Sequence, residues 1–558
     1  MRATSMRRVL AMAAVFAAGV VIAGCGSSSD SGSTDGSDVN AQIATAEGWD
    51  TTTPEATGEL DSVTWGLPYG EPSTLDYVQA ASYSENTVLS SVCEGLLRTA
   101  PDLSVEPSLA EKVEHPDSTT YVYELRNGVE FSDGSPMTAD DVVFSLERNL
   151  DPSSGSFWTS WYENVDDITA KGDSTVEVTL KQPDVMFNQF MGTAAGTVVE
   201  KDYFEKNADD FGSSKGGVMC TGPFVLSDWT PGESITVERN DNYWDTENPA
   251  QTKEIKFEFV TDSSALSAAL ESGEIDGAYD APSSLESSDA GTLYNGRSTQ
   301  FVAESFSTRP GPVQDVRIRE ALSLVLDRAA IAEKIFNESA IGFFSYYTPA
   351  TWGYARDTFR EQVEQLPAPN TIDLEKAKSL VDDYAADEGQ PRELELELNA
   401  DDPAQRQLGT YIESQAEQAG LEVKVVALPA NQSIAVAFDP ELKKEYDIIS
   451  GTGYIDVADP MVWAIWGLTP GGIFNDNEYE NPKVTKLTEQ ARQTEDEEKR
   501  ADLLGQIQDI AYGQDHASIF IANLSERLYL GKRVTGVPAS MPGYIYYPWS
   551  RDLGAAGG

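Results

Sequence analysis

The hydrophobic pattern changes period along the chain. From about residue 60 to 300 it alternates over short runs, as half-buried strands require. Val63-Thr64-Trp65-Gly66-Leu67 is stopped by Pro68, and Tyr121, Tyr123 and Leu125 alternate with Val122 and Glu124. Similar runs recur at 175–180, 221–225, 235–238 and 257–260. Asn127-Gly128 predicts a hairpin turn, with Val129 and Phe131 on the returning strand. Thr138 offers an N-cap, with Asp140 and Asp141 in the first turn and Val142, Val143, Leu146 and Leu150 on one helical face. Helical patterning up to Val92 and between Asp262 and Glu271 completes this half.

From Asp315 longer helices alternate with strands. Asp315 and Asp327 cap helical runs carrying Ile318, Ala321, Leu322, Val325 and Leu326. A helix with Leu374, Ala377, Leu380, Val381 and Tyr384 precedes strict alternation at Leu394, Leu396 and Leu398. Another, 405–419, stops at Gly420 and feeds a strand with Val423, Val425 and Leu428. Polar helices between Asn481 and Gln514 lead to Ile519-Phe520-Ile521-Ala522, one more buried strand. This β-α-β order predicts a mixed α/β architecture. At 558 residues the chain exceeds one hydrophobic core, so two to four domains are expected. With no repeat and no long linker after residue 60, they share interfaces or exchange chain.

The stretch 446–460 carries the most suggestive local grammar. Ile448 and Ile449 read as a short buried strand that breaks at Gly451 and Gly453, where the backbone can turn or let another molecule approach. Asp456 follows, and Asp459-Pro460 closes the segment as a turn or helix start. Two readings fit: a strand end and lone acid suited to a cationic group, or a strand-to-helix connection whose acids are solvated or capping.

Composition narrows the function classes. A net charge of −53 argues against nucleic acid or an anionic membrane surface as the main partner. The two histidines, His115 and His516, are a weak basis for zinc, haem or Ser-His-Asp chemistry, so no metal or cofactor is expected. Arg2, Arg7 and Arg8 precede an apolar run, 9–23, ending in Ile22-Ala23-Gly24-Cys25. This reads as a secretory signal, 1–24, too short for the ~20 residues that span a bilayer. Cys25 after Ala-Gly resembles the lipobox of bacterial lipoproteins, which implies cleavage before Cys25, acylation and tethering outside the cytoplasmic membrane. Residues 25–59, rich in Ser, Gly, Asp and Thr, read as a flexible tether. Cys93 and Cys220 remain, and in an oxidising compartment they predict a structural disulfide.

Several strings in order resemble the extracytoplasmic solute-binding proteins of family 5, which serve ABC importers of oligopeptides, dipeptides and some other solutes. They are the segment 123–148 (Tyr-Glu-Leu-Arg-Asn-Gly through Ser-Leu-Glu-Arg), Thr221-Gly222-Pro223-Phe224, Glu238-Arg239-Asn240 with Tyr243-Trp244, Asp315-Val316-Arg317-Ile318-Arg319-Glu320-Ala321-Leu322, and Asp459-Pro460. The resemblance implies a two-lobed, hinge-closing α/β fold, the type II periplasmic-binding-protein fold with an extra family-specific domain. Carried onto this chain, lobe one comprises 60–96, 183–302 and 523–558, the extra domain 97–182, and lobe two 303–522. The hinges fall near Phe306-Ser307-Thr308 and Ala522-Asn523.

In peptide-binding members of that family an aspartate four residues before the proline pairs with the peptide's α-ammonium group, a place held here by Asp456. Gly453 stands where members commonly carry tryptophan, which is expected to open room for a different or larger ligand, with Tyr454 as substitute aromatic contact. Tyr69 and Trp352 are further candidates to line the cleft, whereas Trp463 and Trp466, at helical spacing, are expected in the core. The expected protein is a monomeric, lipid-tethered extracytoplasmic receptor, not an enzyme. It captures a small solute, preferably an oligopeptide, and presents it to an ABC permease. An oligosaccharide receptor is the alternative, and a secreted hydrolase using paired carboxylates a more remote one.

Overall fold

The computed structural model describes residues 39–557 except 338 and 367–371; the signal segment and Cys25 lie outside the described residues. Two large sheets organise the two lobes. The first has seven strands in the spatial order Gly291–Gly296, Glu526–Gly531, Gly277–Ala278, Leu60–Leu67, Thr252–Phe259, Ser234–Arg239 and Phe224–Thr230. Leu60–Leu67 runs parallel to both neighbours, and every other pair is antiparallel. The second has six: Ala340–Gly342, Ser518–Leu524, Phe301–Phe306, Ile448–Gly453, Leu394–Asn399 and Val423–Leu428. The strictly alternating leucines put Leu394, Leu396 and Leu398 in the core, under the helix Pro403–Gln418.

The chain crosses between the sheets twice, and the crossings lie side by side. Phe301 pairs with Asn523, so residues 297–300 and Ser525 are the links. The Asn523 amide donates to the carbonyls of Ser298 (3.0 Å) and Gln300 (2.7 Å), holding the two links together. The first hinge was expected at 306–308, but Phe306 ends a strand inside the second sheet and the crossing comes earlier. The apolar character of Phe301 and Val302 gives no hint of this, because the strand is buried from its first residue.

Helix capping follows the sequence closely. Asp141 Oδ2 accepts from the backbone and hydroxyl of Thr138 at 2.9 and 2.6 Å, and Asp315 and Asp327 accept from the amides of Arg317 and Ala330, both at 2.9 Å. The returning strand expected at Val129 and Phe131 does not form. Those residues are buried in a loop, and Thr120–Leu125 pairs instead with Ala110–Asp117 and Thr175–Leu180 in a four-stranded sheet. The motif residues Thr221, Tyr243 and Trp244 converge on one carboxylate: all three donate to Glu94, at 2.9, 2.8 and 2.7 Å. A buried carboxylate satisfied threefold is a structural anchor.

The N-terminal expectation also changes. Residues 39–59 are not a loose tether: Val39–Glu47 is a helix whose Ile43 is fully buried against Ala340–Gly342 and Pro349–Thr351 of lobe two. Glu47 accepts from Arg356 (2.9 Å) and Arg360 (2.8 Å), and the chain then follows lobe one through bridges at Asp50, Thr52 and Gly58. The apolar face of Ile43 and Ala46 was submerged in the Ser/Gly/Asp-rich average of the surrounding stretch.

Cys93 and Cys220 form the expected disulfide across 127 residues, with Cα atoms 4.8 Å apart. Both sit in lobe one, at the end of the helix Tyr83–Val92 and just before Thr221. Closing a loop of that length stabilises by roughly 4–5 kcal/mol. The double change to serine is therefore expected to lower the melting temperature by several degrees while leaving ligand affinity within about twofold, since the bridge does not restrain the hinge. Thermal unfolding and calorimetric titration of the variant would check both.

Candidate functional site

The strand Ile448–Gly453 lies mid-sheet, antiparallel to Phe301–Phe306 and parallel to Leu394–Asn399. It runs on through Gly451 to Gly453 instead of breaking at the first glycine. Gly453 does not open space: a Cβ there would stand 2.8 Å from the ring of Phe301. That ring packs against Phe520 (4.9 Å) and Trp463 (5.2 Å), so an aromatic cluster fills the volume a side chain at 453 would take. The expected extra room for a larger ligand is therefore absent. Trp463 and Trp466 are buried as expected.

Beyond the strand the chain turns toward lobe one. Tyr454 packs on Tyr83 with centroids 4.9 Å apart, and its hydroxyl donates to the carbonyl of Ala81 at 3.4 Å. Tyr83 in turn stacks on Tyr69 at 4.5 Å, nearly parallel. Three tyrosines from two lobes thus form a continuous ladder, and Tyr69, half exposed, is its outer rung. Trp352 is not part of it. Its indole N–H donates to Tyr347 O at 3.1 Å, and its fully buried ring lies against Phe359 within lobe two.

The two acids of the stretch have separated roles. Asp459 Oδ1 accepts from the amide of Met461 (2.9 Å) and from the Tyr354 hydroxyl (3.2 Å), opening the helix Met461–Trp466 as a turn acid does. Asp456 is 3% exposed, and the Tyr546 hydroxyl donates to it. Burial pushes its carboxyl up to about 7 against the opposing pull of that hydrogen bond. No ion pair to Asp456 occurs among the described residues.

A second acidic group lies across the ladder. Asp280 ends the strand Gly277–Ala278 region in left-handed conformation (φ 50°), and its amide donates to Glu526 Oε1 at 2.7 Å. Gln300, in the hinge link, reaches both Glu526 (3.4 Å) and the Tyr83 hydroxyl (3.3 Å). Burial raises both carboxyls; the neighbouring Asp280 charge adds to the rise at Glu526, while Arg527 lowers both. Sequence reading missed Tyr83, Tyr546, Asp280 and Glu526. Asp280 had a legible signal, since Gly277-Ala278-Tyr279-Asp280 repeats the grammar of small residues and a lone acid at a strand end. Tyr546 had none, because its partner lies 90 residues away.

Among the described residues no group of three or more His, Cys, Asp or Glu could hold a metal ion, and no helix is long and apolar enough to cross a membrane.

Compared with known proteins, residues 104–475 match the bacterial extracellular solute-binding proteins, family 5 middle region. The chain is 25% identical over 505 residues to the dipeptide-binding protein DppE of Bacillus subtilis, covering 86% of this chain and 90% of that protein. It is 26% identical over 462 residues to the oligopeptide-binding protein OppA of the same organism, covering 78% and 82%. Among solved structures it resembles the oligopeptide-binding protein AppA from Bacillus subtilis in complex with a nonapeptide (TM-score 0.74, 20% identity, 90% of this chain and 100% of that one). It also resembles the binding protein AgaA in complex with agropinic acid from A. tumefaciens R10 (TM-score 0.75, 23% identity, 89% and 99%). These likenesses establish the two-lobed fold.

The raised carboxyl gives a stability prediction with a definite sign. An acid whose folded value is about 7 holds its proton while the unfolded chain, with an ordinary value near 4, releases it. Stability contributed by Asp456 therefore falls as pH rises from about 4 to about 7, by up to about 4 kcal/mol in the limit of a fully desolvated group. Glu304 (about 8) and Glu397 (about 7), also raised chiefly by burial, act in the same direction. Asp456→Asn is expected to lose less melting temperature than the wild type between pH 5 and pH 8; parallel curves would show that Asp456 ionises freely in the folded protein.

Proposed function

This chain belongs to the bacterial extracellular solute-binding proteins of family 5, and we propose on that premise that it captures a peptide between its lobes and hands it to an ABC import permease. Members of the family are binding proteins that work outside the cytoplasm. The finer reading is a monomeric receptor tethered through Cys25, with an oligopeptide as ligand and no catalytic step.

One observation carries the choice of ligand. Asp456 is a buried carboxyl with a hydroxyl donor and no cationic partner among the described residues, beside the Tyr454–Tyr83 contact that joins the lobes. A peptide's α-ammonium group supplies the missing charge, and the charge-assisted bond is strong where water is excluded. Similarity to dipeptide- and oligopeptide-binding proteins supports the same ligand class. The oligosaccharide alternative draws on aromatics for ring stacking and on space beside Gly453; Phe301 occupies that space. Ligand binding then favours closure because the ligand touches both lobes at once only in the closed state.

Titration of tripeptides by calorimetry tests this. Asp456→Ala is expected to weaken binding at least tenfold, and N-acetylation of the peptide to do the same to the wild type. Because the Asp456 proton must leave before a cation can pair with it, affinity is also expected to fall by up to tenfold per unit as pH drops below about 7. Unchanged affinity in the alanine variant would remove Asp456 from the site.

A further inference from the structure

Behind the tyrosine ladder, on the lobe-one side, lies a recess of about 10 Å³ whose lining includes Trp65, Tyr83, Ser84, Tyr279, Asp280 and Tyr544 beside the apolar Leu67 and Pro68. That volume admits roughly one water-sized group, which is also the size of an ammonium head. The rings lining it form an ordered wall: Tyr279 stacks on Tyr544 at 3.7 Å, and Trp65 leans on Tyr279 at 5.3 Å.

Among the described residues, three buried polar atoms of this lining have no hydrogen-bond partner in the protein, the indole Nε1 of Trp65, the hydroxyl of Ser84 and Oδ2 of Asp280, although Tyr69 and Gln300 hydrogen-bond to the Asp280 carboxyl and hold part of its charge. Ser84 is 3% exposed and Trp65 fully buried, so bulk water does not serve them. Leaving such groups unpaired costs about 1–3 kcal/mol each. Two of the three, the Ser84 oxygen and Asp280 Oδ2, are acceptors, which fits a donor group. The charge balance points the same way. Asp280 and Glu526 place two carboxyls together against one neighbouring cation, Arg527, which lowers both and leaves an acidic excess at the pair. Aromatic faces beside a carboxylate suit an amine cation, which bonds to the oxygen and lies against the rings.

We propose that this recess is a cation pocket distinct from Asp456, and that it receives the ammonium group of a lysine side chain in the bound peptide, paired with Asp280 and Ser84 and walled by Tyr83, Tyr279 and Tyr544. The proposal rests on the peptide reading of the site: the α-ammonium belongs to Asp456 on one side of the Tyr83–Tyr454 contact, and the side-chain ammonium to Asp280 on the other. The receptor then selects peptides carrying a basic residue.

The probes are Lys-Ala-Ala, Ala-Lys-Ala and Ala-Ala-Lys, each against its norleucine counterpart, titrated into wild type and Asp280→Asn. The wild type is expected to prefer at least one lysine peptide over its norleucine partner by tenfold or more. Asp280→Asn should erase that preference by bringing the lysine peptide down to the affinity of its norleucine partner, and retained binding of both peptides, which a merely unfolded variant could not show, keeps the loss specific. Equal affinities in the wild type, or a preference that survives in Asp280→Asn, would overturn the pocket. If none of the six peptides binds, the peptide reading itself fails, and a thermal-shift titration with cadaverine decides the pocket separately. Stabilisation of the wild type that is lost in Asp280→Asn supports it, and no stabilisation overturns it.

Discussion

Desolvation of carboxyls is the constraint around which this protein is built. Asp456 on one side of the tyrosine contact between the lobes, and Asp280 with Glu526 on the other, hold carboxyls where an ionised acid without a cation costs several kcal/mol. Tyr546 offsets part of that penalty at Asp456, as Gln300 and the Asp280 amide do at Glu526, but none of these donors carries a charge. The acids respond with raised pKa values. On the proposed reading a cationic ligand removes the same penalty directly. It therefore binds the closed state more tightly than the open one, which is the sole way a ligand can drive closure.

The scaffold makes that electrostatic choice reversible. Two short links, tied by the Asn523 amide, connect the two sheets, and the chain leaving the helix Val39–Glu47 makes a third connection from lobe two to lobe one. Contacts that close the cleft are modest: the Tyr83–Tyr454 pair, the bond from Tyr454 to Ala81, and Glu47 with Arg356 and Arg360. Exposed or half-exposed ion pairs such as the last contribute up to about 1 kcal/mol each. By contrast, the Glu94 anchor and the Cys93–Cys220 bridge stiffen lobe one without crossing the hinge.

Local grammar was legible and long-range partnership was not. The caps at Thr138, Asp315 and Asp327, the alternating Leu394, Leu396 and Leu398, and the disulfide are determined by near neighbours or by a choice of one pair. The two-lobed fold followed from motif strings, of which Thr221, Tyr243 and Trp244 proved to be partners of one carboxylate. What failed depended on residues far away in sequence. Phe301 fills the place beside Gly453, Thr120–Leu125 pairs with strands other than its neighbour across Asn127-Gly128, and the helix around Ile43 gains its stability from lobe two. Trp352, a candidate to line the cleft, lies in the core, where its N–H is satisfied by a carbonyl five residues away.

The identity of the captured solute bears most directly on the claim that charge relief drives closure. Gently purified protein, denatured and analysed by mass spectrometry for released small molecules, reports it without any assumption about the site. The expected result is a set of peptides with a free amino terminus. A neutral oligosaccharide released in stoichiometric amount would contradict the claim, because such a ligand leaves Asp456 as it stands, a buried acid without a cation.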